Sequence, residues 1–291
     1  EHHVAPEDVT ASDLAVKAAK QLFNENCISP KNIDFVIFCT QSADYFLPST
    51  ACIIQARLGI PKTAGAYDYD LGCSGYIYGL AMAKGFIFAG IAKNILLLTG
   101  DTMSKYFYPE DNNRLLFGDA ATATLVSTEG KAEIGDFVLG SGGTGYDKLI
   151  IKNGACRHHK LTGNVSIDDS GSKRYDDYFY MDGESIFNFT LDCVPKLIKD
   201  VEVKNQLEDE DIDYYVFHQP NKFMMNTIRK ITRISKDKFY IDIEKNGNTT
   251  SSTVPIGLCC SLKDGKIHKD ATVMIAGFGV GLSWGGTILK F

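Results

Sequence analysis

The sequence predicts a layered α/β fold assembled from two similar halves, and three observations carry that expectation. Short apolar runs alternate with amphipathic stretches along all 291 residues, the order expected of strands covered by helices. Segments of the first half recur in the second. Residues 33–38 (IDFVIF) match 212–217 (IDYYVF), 94–100 match 271–277, and 71–73 match 246–248, at offsets of 179, 177 and 175 residues. Three ordered matches at a nearly constant offset mark an internal duplication. Between the halves, residues 140–182 are rich in Gly, Asp, Ser and Lys and read as excursion loops rather than core. The chain then divides into an N-terminal half at 1–139, loops at 140–182, and a C-terminal half at 183–291.

Residues 10–24 read as a helix, with Ser12 placed to cap it and Leu14, Ala15, Ala18, Ala19 and Leu22 at helical spacing. A buried strand follows at 34–39, then a helix at 48–58 with Pro48 near its start. Residues 66–71 alternate like a strand. The small-residue turn 72–75 opens an apolar helix at 76–89, whose lack of a polar face predicts burial on most sides. A strand at 94–99 and a turn and strand at 117–126 complete this half. In the second half, 185–199 reads as a helix that Pro195 is expected to kink or break. Then come a strand at 212–218, a helix at 221–231, alternation at 239–243, a small-residue turn at 247–252 and an apolar helix at 254–262. Strands at 271–276 and 282–289 flank a Gly-rich run. Parallel strands need cover on both faces, so the halves pack as one body.

Composition narrows the function classes. Hydrophobic residues make up 44% and charged residues 23%, an ordinary globular balance. Thirty-six acids against 30 bases give a net charge of −6, which disfavours broad nucleic-acid binding. No apolar run is long enough for a membrane-spanning helix, and the start lacks the pattern of a signal peptide. The eight cysteines form no C-x-x-C pair and read as reduced thiols of a cytoplasmic protein.

Three side chains stand out as chemistry. Cys73 follows a strand and opens an apolar helix between Gly72 and Gly75. The helix dipole and free N–H groups there favour thiolate and can hold an oxyanion; a small buried thiol fits the position as well. Of six histidines, His2, His3, His158, His159 and His268 lie in terminal or polar segments. His218 alone ends a strand and enters a turn, where sites of α/β sheets gather. Asn248 occupies by duplication the place of Cys73; by itself it would read as a helix cap. If the two helix starts meet near a pseudo-twofold axis, Cys73, His218 and Asn248 form a set able to transfer acyl groups through a thioester. Residues 140–145 fit G-x-G-x-x-G literally, but no convincing helix follows, so a dinucleotide site is not expected. The acidic run 208–211 reads as a solvated helix end, and Cys259 and Cys260 read as core. No metal-ligand spacing occurs, and no cofactor is expected.

The motifs Asp70-Leu71-Gly72-Cys73-Ser74-Gly75, Leu116-Phe117-Gly118-Asp119, His218-Gln219-Pro220-Asn221, the run 247–255 and the run 277–285 resemble those of the thiolase superfamily. The resemblance is closest to the β-ketoacyl-acyl-carrier-protein synthase III family, and it covers nearly the whole chain in the family's order. It implies the α-β-α-β-α layered fold, with the family's first strand missing ahead of Glu1, so that the chain looks truncated there. It implies an acyltransferase in which Cys73 takes an acyl group from a thioester, with the backbone N–H groups of Cys73 and Val280 as oxyanion hole. His218 and Asn248 would hold the carbonyl of malonyl-carrier protein while CO2 leaves, and Phe278 would keep water from the site. It implies a homodimer, with the segment 44–48 reaching the partner's acyl pocket and Leu47 standing where the family often has Phe. Acyl carrier protein and an acyl-CoA or acyl-carrier thioester would be its partners. Two coenzyme A-gripping arginines of the family fall near Asn112 and at Phe223, with Arg114 and Lys222 as neighbours, and Ala120 and Thr122 replace glycines. These departures point to a primer on another thioester, such as a carrier protein. Lys222, Arg229, Lys230 and Arg233 on the helix after His218 could dock such a carrier, or simply form a solvated face. The competing functions are acyl transfer to a hydroxyl or amine without decarboxylation, and a silent partner subunit, which typically lacks the cysteine retained here.

Overall fold

The structure, a computed structural model, describes residues 3–167, 171 and 173–291. The first half runs through helix α1 (Ala11–Asn26), strand β1 (Phe35–Cys39), α2 (Thr50–Leu58), β2 (Gly65–Tyr69), α3 (Gly75–Phe88), β3 (Asn94–Asp101) and β4 (Ala120–Ser127). Short strands follow: β5 (Glu133–Ile134), β6 (Val138–Ser141), β7 (Leu149–Ile150), β8 (Val165–Ile167), β9 (Lys173–Tyr175) and β10 (Tyr180–Met181). The second half holds α4 (Gly183–Asn205), β11 (Tyr214–Phe217), α5 (Lys222–Ile231), α6 (Ile243–Asn246), α7 (Thr253–Lys263), β12 (Thr272–Gly279) and β13 (Ser283–Lys290).

Among the described residues two large sheets form, ordered β2-β1-β3-β4 and β11-β12-β13-β5 with β6 also on β13, beside two small ones, β10-β7 and β8-β9. In each, a parallel pair is followed by an antiparallel strand: β1 with β3 and then β4, β11 with β12 and then β13. The two-residue period of a strand decides the layers. Ile37, Ile95 and Leu97 of the first sheet face Val216, Val273 and Ile275 of the second, in one core shared with Ile77 and Leu80 of α3 and Val254 and Leu258 of α7. The neighbours in sequence point the other way. Val36, Phe38, Leu96 and Leu98 pack under α1 and α2, while Tyr215, Phe217, Met274 and Ala276 pack under α4 and α5. The order is therefore helix, sheet, helix, sheet, helix. Helices α3 and α7 fill the middle layer, which explains why both are apolar on most sides.

Local chemistry departs from the sequence reading in several places. Thr10, not Ser12, caps α1: its hydroxyl accepts from Asp13 N while the Asp13 carboxylate accepts from Thr10 N at 2.9 Å, a capping box. Ser12 is buried and donates instead to Asp44 at 2.7 Å. Helix α4 runs through Pro195, because Val194, Leu197, Ile198 and Val201 bury on the sheet and outweigh one lost backbone bond. Residues 239–243 form only a bridge from Phe239 to Tyr215 before turning into α6. Cys259 is exposed, while Cys260 is half-buried and packs against the core between the sheets. The stretch between the halves is not all peripheral loop, since Phe179 is buried among Met103, Phe107 and Phe117. Among the described residues no helix is long and apolar enough to cross a membrane.

Candidate active site

The turn between β2 and α3 places Cys73, and the end of β12 presses against it. Gly277 and Gly279 allow this approach: a Cβ at Gly277 would lie 2.5 Å from the Cys73 carbonyl oxygen, and one at Gly279 only 2.8 Å from Cys73 Sγ. The turn after β12 is braced from two sides. Ser74 and Ser283 hydroxyls meet at 2.6 Å, and Gly142 N donates to Leu282 O at 2.8 Å. The glycine run 140–145 thus supports this turn and opens into a 3-10 segment rather than a nucleotide-binding helix. The backbone N–H groups of Val280 and Cys73 favour the ionised form of the Cys73 sulfur, against the larger opposing effect of burial.

His218 follows β11, its backbone N donating to Ala276 O at 2.8 Å. Its Nδ1 lies 2.7 Å from the Thr253 hydroxyl, which donates to Thr250 O at 3.0 Å. One hydroxyl proton serves both contacts, so the tautomer of His218 and the direction of the Thr253 hydroxyl are set together. The ring stands edge-on to Phe278, with centroids 5.7 Å apart. Asn248 is held by the first half: its N donates to Leu116 O at 2.8 Å, and Gly118 N donates to Asn248 O at 3.1 Å. Its side-chain Oδ1 accepts from Thr250 N at 3.0 Å, leaving Nδ2 as the free donor. Asn248 is not a helix cap. Ser252 holds the N-cap position of α7, without a side-chain cap bond, and the 3-10 turn Thr250–Ser252 stands between.

The structure brings Cys73, His218, Asn248, Phe278 and Val280 to one cavity, walled also by Gln41, Met103, Phe117, Phe179 and Met224. Burial pushes the Cys73 thiol up to about 12, only partly offset by the Val280 N–H, and holds the His218 imidazole down to about 3. Both groups are neutral at pH 7. Burial draws the Cys73 sulfur toward the neutral thiol, against the N–H groups that favour thiolate.

The remaining candidates lie elsewhere. Leu47 is 86% exposed beside Tyr45 and Phe46 and does not line this cavity. Arg114, Lys230 and Arg233 are exposed. Lys222 pairs with Glu244, and Arg229 turns back to donate to Ile234 O at 3.3 Å, so α5 does not present one free basic face. Phe223 is 70% exposed and stacks on Phe187 at 5.6 Å. Gln41, Thr190, Phe179 and Met181 line the cavity unforeseen. The apolar run 178–181 inside a polar stretch was the available signal for the last two. His3, His158, His159 and His268 are exposed, as read; His2 lies outside the described residues.

Residues 67–143 match the family described as 3-oxoacyl-[acyl-carrier-protein (ACP)] synthase III, and residues 203–291 match the family described as its C-terminal part. A relative from Clostridium perfringens, a beta-ketoacyl-[acyl-carrier-protein] synthase III, is 36% identical over 97% of this chain and 85% of its own length. A crystal structure of a 3-oxoacyl-(acyl-carrier-protein) synthase III superposes with a TM-score of 0.96 at 43% identity, covering 100% of this chain and 88% of that one. A 3-oxoacyl-(acyl-carrier protein) synthase from Burkholderia xenovorans gives 0.91 at 34% identity, over 99% and 82%.

Proposed function

The chain belongs to the 3-oxoacyl-[acyl-carrier-protein] synthase III family, and from that premise we propose that it joins an acyl thioester to malonyl-acyl carrier protein with loss of CO2. The observation that carries this reading is the convergence of a sulfur, an imidazole and a carboxamide in one largely apolar cavity, with two N–H groups that favour the sulfur's ionised form.

In the first half-reaction, Cys73 Sγ attacks the thioester carbonyl. The oxyanion forms against the Cys73 and Val280 N–H groups, the C–S bond to the carrier or coenzyme breaks, and the thiol proton leaves with that thiolate. In the second, the malonyl thioester carbonyl lies against His218 and Asn248. Asn248 donates through Nδ2, and His218 donates through Nε2 when the Thr253 hydroxyl proton points to Nδ1. The bond to the carboxylate breaks, CO2 departs, and its electron pair passes into an enolate that these donors stabilise. The enolate carbon attacks the acyl-Cys carbonyl, the bond to Cys73 breaks, and one proton restores the thiol. The neutral imidazole suits this step, since a cation there would hold the carboxylate that must leave. The buried Phe278 ring beside His218 excludes water that would hydrolyse the acyl-Cys.

The exposed apolar segment Tyr45, Phe46 and Leu47 supports a homodimer in which it enters the partner's cavity. Sedimentation of the Phe46→Asp protein should then show a monomer; an unchanged dimer refutes that role. The reaction itself is tested by mass spectrometry of the Cys73 adduct together with CO2 release from malonyl-acyl carrier protein. Acylation followed by CO2 supports condensation. Acylation with transfer to a hydroxyl or amine and no CO2 replaces it with simple acyl transfer.

A further inference from the structure

We propose that Asp101, on the first half of the chain, is a positioning residue for the decarboxylating step, acting through Thr250 to set the Asn248 carboxamide and the His218 ring. Asp101 ends β3 and is 1% exposed. Its Oδ1 accepts from Gln41 N at 2.7 Å, Ser42 Oγ at 3.3 Å and Thr40 Oγ1 at 3.4 Å. Its Oδ2 accepts from the hydroxyls of Thr250 and of Ser251, the latter at 3.2 Å. Each of these partners is a donor and none carries a charge, so the carboxylate is buried without a counter-ion, an arrangement that costs free energy unless it does something. What it does is reach across the interface between the two halves.

The residue it reaches is in an unusual state. Thr250 has φ +51°, a left-handed conformation that a β-branched residue seldom adopts. Held there, Thr250 serves three directions at once. Its hydroxyl donates to Asp101, its N–H to Asn248 Oδ1, and its carbonyl lies 3.0 Å from the Thr253 hydroxyl, where it competes with His218 Nδ1 for that one proton. Asn248 and His218 are therefore oriented by one residue, and Asp101 pins it. Cys73 lies outside this network, fixed by β12 and Val280; the Asp101 charge only opposes its ionisation.

The inference rests on the proposed condensation, but its signature is the contrast between two half-reactions. Replacing Asp101 by Asn, or Thr250 by Val, should lower CO2 release from malonyl-acyl carrier protein on the acylated enzyme by about ten- to a hundredfold, the scale of a misplaced oxyanion donor. Cys73 acylation should stay within about threefold of wild type, or quicken in Asp101→Asn as the opposing charge disappears. Thr250→Ser, which keeps the hydroxyl, should restore CO2 release. Parallel loss of both half-reactions, or no loss of CO2 release, overturns the proposal. Selective ¹⁵N-Asn labelling gives a readout free of turnover. The Asn248 side-chain amide resonance, assigned by its loss in Asn248→Asp, should move in Thr250→Val and not in Thr250→Ser. A wild-type chain that releases no CO2 would sink the functional reading while leaving this resonance to judge the network, and a resonance unmoved in Thr250→Val refutes the network itself. Should Asp101→Asn fail to fold, the two Thr250 variants decide.

Discussion

Replacing Gly279 by Ala puts one methyl group against the Cys73 sulfur. A Cβ built there lies 2.8 Å from Cys73 Sγ and 2.9 Å from Cys73 Cβ. Non-bonded carbon contacts settle at about 3.5–4.0 Å, so strand and cysteine must part by about 1 Å. Neither side yields easily. A Cβ two residues back, at Gly277, would already be 2.5 Å from the Cys73 carbonyl, so the strand lies flush against the turn. Helix α3 behind Cys73 is wedged between both sheets. Overpacking of this kind costs about 1–3 kcal/mol, and a 1 Å displacement of a nucleophile costs on the order of 10²-fold in rate. Single-turnover acylation of Cys73, followed by intact-protein mass spectrometry, should therefore slow about 100-fold, with a melting midpoint lowered by several degrees. Gly85→Ala is the control. Nothing lies within 4 Å of a Cβ there, so the same substitution inside α3 should add about 0.5–1 kcal/mol of stability and leave acylation unchanged. Acylation of Gly279→Ala within threefold of wild type would refute the claim that this approach positions the sulfur.

Alkylation of Cys73 by iodoacetamide should be slow at pH 7 and rise about tenfold per pH unit through pH 10, because burial holds the thiol up to about 12; a rate that levels off below pH 9, read on the Cys73 peptide, would contradict this. His218 and Asp101 should pull stability in opposite directions with pH. The His218 pKa is depressed from 6.5 to about 3, so between these values the unfolded chain binds more protons and stability falls as pH falls. The Asp101 pKa is raised from 3.8 to about 6, so between these values the folded chain binds more protons and stability falls as pH rises. From pH 4 to 6 the two slopes, each about 1.4 kcal/mol per pH unit, nearly cancel. Asp101→Asn should expose the first and His218→Asn the second in urea titrations, and slopes of the same sign would exclude the assignment. Thr10→Ala should cost about 1 kcal/mol by removing the α1 cap; an unchanged urea midpoint would return that role to Ser12.

Much of the fold was legible because strand and helix periods are printed in the side chains. The unbroken apolar runs FVIFC and YYVF mark strands covered on both faces, and the all-round apolarity of α3 marks it as a middle layer. Failures came where tertiary contacts outvote local signals. Pro195 is carried by the burial of its neighbours, and the 239–243 alternation lacks a partner strand beyond Phe239. Ser12 was drawn away from its capping role by Asp44, 32 residues on. Cys73, His218 and Asn248 were legible from residue type and turn context. The wall formed by Phe179 and Met181 was not, because nothing local says that a polar excursion folds back over a site elsewhere in the chain.

The duplication also shows how one backbone plan yields two chemistries. The N-caps of α3 and α7 have nearly the same conformation, Ser74 at φ −88°, ψ −8° and Ser252 at φ −84°, ψ −11°. Measured from those caps, Cys73 corresponds to Ser251, not to Asn248. The sequence offset of 175 between Cys73 and Asn248 thus hides three residues, Thr249 to Ser251, which the second half spends on its extra turn. That turn moves Asn248 off the helix start, so its carboxamide answers to Thr250 N instead of the end of α7. It also creates the left-handed Thr250 and delivers two hydroxyls to Asp101. In the first half Cys73 directly precedes the Ser74 N-cap of α3, whereas in the second half the 3-10 turn Thr250–Ser252 stands between Asn248 and α7. The departure from symmetry, more than the symmetry, is what brings a thiol and a carboxamide to one cavity from differently built turns.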